Sequence, residues 1–216
     1  IELAFFSANV VKFVEGAWFP LALGVVAFAV MRTWRRGRAL VHAQVNRDAL
    51  RIEHCVASLA AGPPARVPGT AVFLTPSNQF TPPALLHNLK HNKVLHARNV
   101  LLTVEVLGVP RAEAAERVAY VDLGHGFSRL SLRFGYLEDP DVPRALASPD
   151  LPGPAFEPME TTYFASRETL VARPGQGMAQ WRDKLFLFLS RNATPATEFF
   201  HIPGNRLVEL GTQVVI

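Results

Sequence analysis

A membrane-embedded helical hairpin, formed by the last two transmembrane spans of a longer protein and followed by an α/β (α+β) domain with a mixed sheet, is the fold class this sequence predicts. Three observations predict it. Residues 17–31 are an uncharged apolar run closed by a burst of arginine, Gly62-Pro63-Pro64 interrupts the chain, and strand and helix patterns alternate from there to the end. With 216 residues, 49% hydrophobic and 19% charged, the chain has ample material for a buried core, and disorder is excluded.

The run AWFPLALGVVAFAVM, extended to Glu15 and Trp34, approaches the ~20 residues needed to cross a bilayer, with Trp18 and Trp34 suited to its two interfaces. Pro20 falls in the first turn, where its missing N–H is harmless. A buried helix of a soluble protein is the alternative, and the charge asymmetry decides against it. Arg32, Arg35, Arg36 and Arg38 lie at one end only, which places that end, and all that follows, in the cytoplasm. Charge after the apolar run, with no small-residue cleavage site, excludes a signal peptide.

Residues 1–14, IELAFFSANVVKFV, resemble the tail of a preceding span, and the chain reads as a fragment whose beginning is missing. If Lys12 marks the outer surface, Glu2 lies ten residues, or roughly 15 Å, deeper in the bilayer. An acid at that depth is costly: it serves ion coupling or pairs with a polar group on another helix.

Beyond the arginines, Val41, Val45, Ala49, Ile52, Val56 and Leu59 recur at spacings of three and four, the pattern of one amphipathic helix leaving the membrane. The division expected is therefore two spans over 1–36, the first truncated, a membrane-proximal helix over 37–62 and a cytoplasmic α/β domain over 63–216. Within that domain 70–75 and 99–106 read as strands flanking a helix over 82–92. Two alternating runs around Gly124-His125-Gly126 predict a hairpin rather than a phosphate loop, since a third glycine and a following helix are lacking. The proline-rich stretch 140–158 predicts a short helix over 142–147 and then irregular chain. A further strand or hairpin follows at 161–164 and 169–172, then a helix at 178–192 with Trp181, Leu185, Phe188 and Leu189 on its apolar face, and a last strand in LVELGTQVVI.

Chemistry-bearing motifs are few. His87 and His91 stand one helical turn apart, with His96 beyond the predicted helix end. A zinc site would need a third ligand, and Lys90 and Lys93 oppose a cation, so these histidines read as a polar cluster without metal. Cys55, the single cysteine, excludes an internal disulfide and sits among Ile52, Val56 and Leu59 as an apolar filler. No nucleophile elbow, P-loop or HExxH motif supports an enzyme. A formal charge of +4, spread along the chain, does not point to nucleic acid.

The strings LAFFSANVVK, EGAWFPLALG, RTWRRGR, VPGTAVFLT, PALLHNLKHNKVLH, ETTYFASRETL, FLSRNA and ELGTQVVI, in this order from one end of the chain to the other, resemble the Kup/HAK family of potassium uptake permeases. The resemblance implies a twelve-span inner-membrane transporter that moves K⁺ inward with protons and uses no cofactor. Its potassium ligands would lie in the missing N-terminal membrane core. This chain would supply the last spans, in contact with lipid, and a cytoplasmic tail that regulates or dimerises the whole. Family members usually carry Asp in the penultimate span where this sequence has Glu2, which keeps the charge on a longer arm. Two alternatives from other classes are a membrane-anchored cytoplasmic sensor or ligand-binding domain, and a membrane-bound enzyme acting through the histidines. An acid inside the bilayer fits transport better than a simple anchor.

Overall fold

The structure, a computed structural model, describes residues 16, 18–45, 47, 49–171 and 178–215. Its elements are α1 (Trp18–Val45), α2 (Ile52–Ala61), β1 (Ala65–Leu74), α3 (Pro83–Asn92), β2 (Val94–Leu107), β3 (Val118–Gly124), β4 (Phe127–Gly135), α4 (Val142–Leu146), β5 (Thr161–Val171), α5 (Gln180–Arg191), α6 (Ala196–Phe199) and β6 (Leu207–Val215). Two compact units divide them. A helical unit holds the described residues up to Gln44 and from Leu170 to Ala193; a sheet unit holds Val45–Thr169 and Thr194–Val214.

The helical unit is α1 with α5. Alanine, leucine, methionine and arginine are good helix formers, so α1 runs on through the basic cluster rather than ending at Trp34. Among the described residues no helix is long and apolar enough to cross a membrane. The uncharged part of α1 that is described covers only Trp18 to Met31.

The sheet unit carries one mixed sheet of order β3-β4-β2-β1-β5-β6. β1 is parallel to β2 and β5, β2 is parallel to β4, and β3 pairs antiparallel with β4. Parallel central strands are covered on both faces, which is why β1 and β2 read as continuous apolar runs. Alternation along them sorts the core into two layers. Ala71, Phe73, Leu95, Leu101, Phe127 and Phe164 meet α2 and α3 on one face. Val72, Val100, Leu102, Leu130 and Tyr163 meet α4, Phe156 and Ile202 on the other.

The hairpin expected at Gly124-His125-Gly126 is present, and all three residues take positive φ, 76°, 52° and 75°. Helices α3 and α4 also lie where expected, while 161–171 form a single strand. One helix departs from expectation. The helix foreseen from Val41 to Leu59 is two helices, because the chain between them is tied to the segment before α3. Leu50 and Ile52 exchange backbone hydrogen bonds with Thr81 and Gln79, at 2.8 and 3.1 Å, around an antiparallel bridge of Arg51 to Phe80. Arg51 is extended there, with ψ 140°, and cannot continue a helix. The second half, α2, places Ile52, Cys55 and Val56 in the sheet core.

Candidate functional site

The basic turn of α1 is where the sequence places its most specific polar feature, and the structure shows how it is built. Thr33, Gly37 and Val41, four residues apart, form the buried stripe of α1. Phe186 of α5 is fully buried against it, and any Cβ at Gly37 would collide with the Phe186 ring. Glycine thus permits the approach of the two helices. Trp34, expected at a membrane interface, packs on Phe186 with ring centroids 5.6 Å apart. Arg182 fixes the level of the contact: its Nε donates to Thr33 Oγ1 at 3.1 Å and its Nη2 to the Arg32 carbonyl at 3.3 Å.

This contact reverses the face expected of α5. Trp181 and Phe188 are exposed, to 58% and 62%, while Asp183 and Phe186 are buried. The run Leu185 to Leu189 is apolar on every side, so sequence spacing alone could not set its phase. Asp183 keeps one carboxylate oxygen buried and without a hydrogen-bond partner. Arg32, Arg35 and Arg36 are exposed, and Arg38 is half-buried. Glu2 lies outside the described residues.

The histidines do not converge. His87 and His91 stack along α3, centroids 5.8 Å apart and rings 14° from parallel, with His87 Nε2 3.5 Å from the Thr212 hydroxyl. His96, on β2, packs against Phe164 with ring centroids 5.7 Å apart and planes 70° apart, and burial holds it below the ordinary histidine pKa, favouring the neutral form. Among the described residues no group of three or more His, Cys, Asp or Glu could hold a metal ion. Burial likewise raises the Cys55 thiol, which disfavours the thiolate.

Two polar clusters of the sheet unit escaped sequence reading, because most of their partners are distant in the chain and backbone groups carry no signal in the sequence. Arg66 donates to the carbonyls of His96, Ala97 and His125, at 3.1, 3.1 and 2.6 Å, tying β1 to β2 and to the β3–β4 turn. Glu138 accepts from the N–H groups of Gly135 and Ala112 at 2.6 and 3.0 Å and pairs with Arg117 at 2.5 Å. Those two N–H donors, then the arginine, hold its carboxyl down at about 2. Both clusters are saturated by the chain itself, which marks them as structural.

Comparison with known proteins adds what the geometry leaves open. Residues 68–216 match the family model described as K⁺ potassium transporter C-terminal domain, and residues 1–39 match that of the K⁺ potassium transporter integral membrane domain. A probable potassium transport system protein Kup of Xanthomonas euvesicatoria is 58% identical over 217 residues, covering 100% of this chain and 34% of the relative. The Kup protein of Xylella fastidiosa strain Temecula1 is 55% identical with the same coverage. That of Azoarcus sp. BH72 is 49% identical over 99% of this chain and 34% of the relative. The chain therefore spans about a third of the length of the curated relatives it matches. No solved structure matches.

Proposed function

The chain belongs to the Kup potassium transporter family, a family of transporters rather than enzymes, and from that premise we propose that it serves inward K⁺ transport coupled to protons by the intact inner-membrane protein. In this reading residues 1–36 contribute the last two spans. Residues 37–62 carry the end of α1 and all of α2 out of the membrane, and residues 63–216 form a cytoplasmic domain that regulates or dimerises the transporter. The partners are K⁺, H⁺, lipid and an N-terminal membrane core.

One observation carries the reading. The first half of α1 exposes Phe19, Leu21, Leu23, Val25, Val26, Phe28 and Met31, each by 59% or more, and arginines follow at once. Apolar side chains exposed around a helix suit lipid as their solvent, and a one-sided arginine cluster suits a cytoplasmic end. Arg32, Arg35, Arg36 and Arg38 then fix the orientation.

Glu2 is the coupling candidate, because an acid within a span costs ~2.5 kcal/mol or more on insertion scales unless it is paired or used. Glu2→Gln in the intact transporter keeps the shape and removes the charge. Tracer K⁺ uptake, normalised to protein in the membrane, is expected to fall about tenfold or more, a barrier change of ~1.4 kcal/mol. Undiminished uptake per transporter would remove Glu2 from the mechanism. Orientation is read separately: Ser148→Cys should resist a membrane-impermeant thiol reagent in intact cells, and labelling there would overturn the topology.

A further inference from the structure

Helix α5 has two faces of opposite character. Arg182 and Phe186 turn towards α1 and Asp183 is buried, whereas Trp181, Lys184, Phe188 and Arg191 recur at spacings of three and four on the far side and are exposed. Aromatic rings mixed with cations on one exposed face suit the headgroup layer of a membrane, where rings and long basic chains find both an apolar and a charged neighbour. The start of α5 also stands at the right level. Through its bonds to Thr33 and Arg32, Arg182 is held beside the first basic turn that follows the uncharged part of α1.

The charge there is one-signed. α1 contains no carboxylate, and the one acid of α5, Asp183, is buried. Among the described residues no ion pair engages Arg32, Arg35, Arg36 or Arg182. Guanidinium groups left without carboxylate partners and gathered at one level match the oxygens of a phosphodiester. We infer that Arg32, Arg35, Arg36 and Arg182 form a site for the headgroup of an anionic phospholipid, with Trp181 and Lys184 on the far side of α5 turned to the same headgroup layer. The inference rests on the proposed reading of α1 as a span whose basic end is cytoplasmic. It adds that α5, distant in sequence, completes the site.

The test uses the intact transporter in detergent, titrated with phosphatidylglycerol or phosphatidylcholine and read by native mass spectrometry of the lipid-bound protein. Phosphatidylglycerol should be retained in preference to phosphatidylcholine. Arg36→Gln should weaken its retention roughly fivefold, the weight of one basic side chain at an anionic surface. Arg182→Gln should weaken it by at least as much, Arg36→Lys should lose less than Arg36→Gln because it keeps the charge, and Lys93→Gln, in the sheet unit, should change nothing. Equal retention by Arg36→Gln and the parent overturns the inference, as does a loss in Arg36→Lys as large as in Arg36→Gln. Displacement of the lipid by millimolar inorganic phosphate also overturns it, since the site would then take a soluble anion. These counts are made in detergent, so they stand apart from the Ser148→Cys result. Outward labelling there sinks the topology, whereas unchanged lipid counts with the expected topology sink only the lipid site.

Discussion

Val72 and Val25 carry the same side chain into opposite surroundings. Val72, on β1, is fully buried, whereas Val25, on α1, is 68% exposed. The contrast holds for the cores around them: the sheet unit buries two layers of apolar residues within itself, although Leu137 and Met159 stay exposed, whereas the first half of α1 leaves its large apolar residues uncovered. Apolar content alone therefore says little about a segment. What distinguishes the two regions is whether the chain supplies the covering surface, and for the first half of α1 the described chain supplies none.

The largest expected effect concerns where the self-sufficient region begins. A chain starting at Pro64 lacks α2 and so uncovers the face that Ile52, Cys55 and Val56 fill, while one starting at Leu50 keeps it. Burial of Ile52 and Val56 contributes roughly 3–6 kcal/mol together. The shorter chain should unfold at much lower urea or fail to stay soluble, and equal midpoints would show that α2 does not belong to the sheet unit.

A paired substitution sharpens the same contrast within one residue type. Phe73→Ala opens a cavity beside Phe164, which stacks on it at 4.9 Å, and should cost about 3–5 kcal/mol in denaturant unfolding. Phe28→Ala removes a ring that is 59% exposed and should leave that measurement within ~0.5 kcal/mol. Similar losses from both would break the comparison.

The smallest effect is a pH dependence. Glu138 has its carboxyl held down at about 2 in the folded chain, against an ordinary value of ~4.3. A carboxyl lowered on folding stabilises above its unfolded value, and that contribution is lost as pH falls through the folded one. The urea midpoint of the parent should drop between about pH 4.5 and 2, whereas Glu138→Gln should start lower at neutral pH and fall less steeply. Parallel pH profiles would dismiss the network around Gly135, Ala112 and Arg117 as a stabilising one.

Most of the sheet unit is legible in the sequence where local chemistry dictates the backbone. Glycines at 124 and 126 permit the positive φ of the hairpin turn, and Pro82 and Pro83 open α3. The misses share another cause. β1 begins at Ala65 and runs through Pro68 and Gly69, residues that ordinarily end a strand, because a register shift between Val67 and Thr70 absorbs them and Gly69 takes φ 95°. The break between α1 and α2 depends on residues 79–81, and the buried face of α5 depends on Gly37. Neither is written in the neighbouring sequence. Of the candidate site, the arginines and the histidine pair could be read from spacing. Arg182 could not, since its partner Thr33 lies 149 residues away.

That separation has a consequence in time. Chains are synthesised at about 5–20 residues per second, so α5 leaves the ribosome roughly 7–30 s after the segment of α1 it covers. Throughout that interval Thr33 and Gly37 have no Arg182 or Phe186 to meet, and β1 to β5 are all made before it ends. The α1–α5 contact is thus among the last to close in the newborn chain, and α1 must settle in its surroundings before the helix that will clasp it exists.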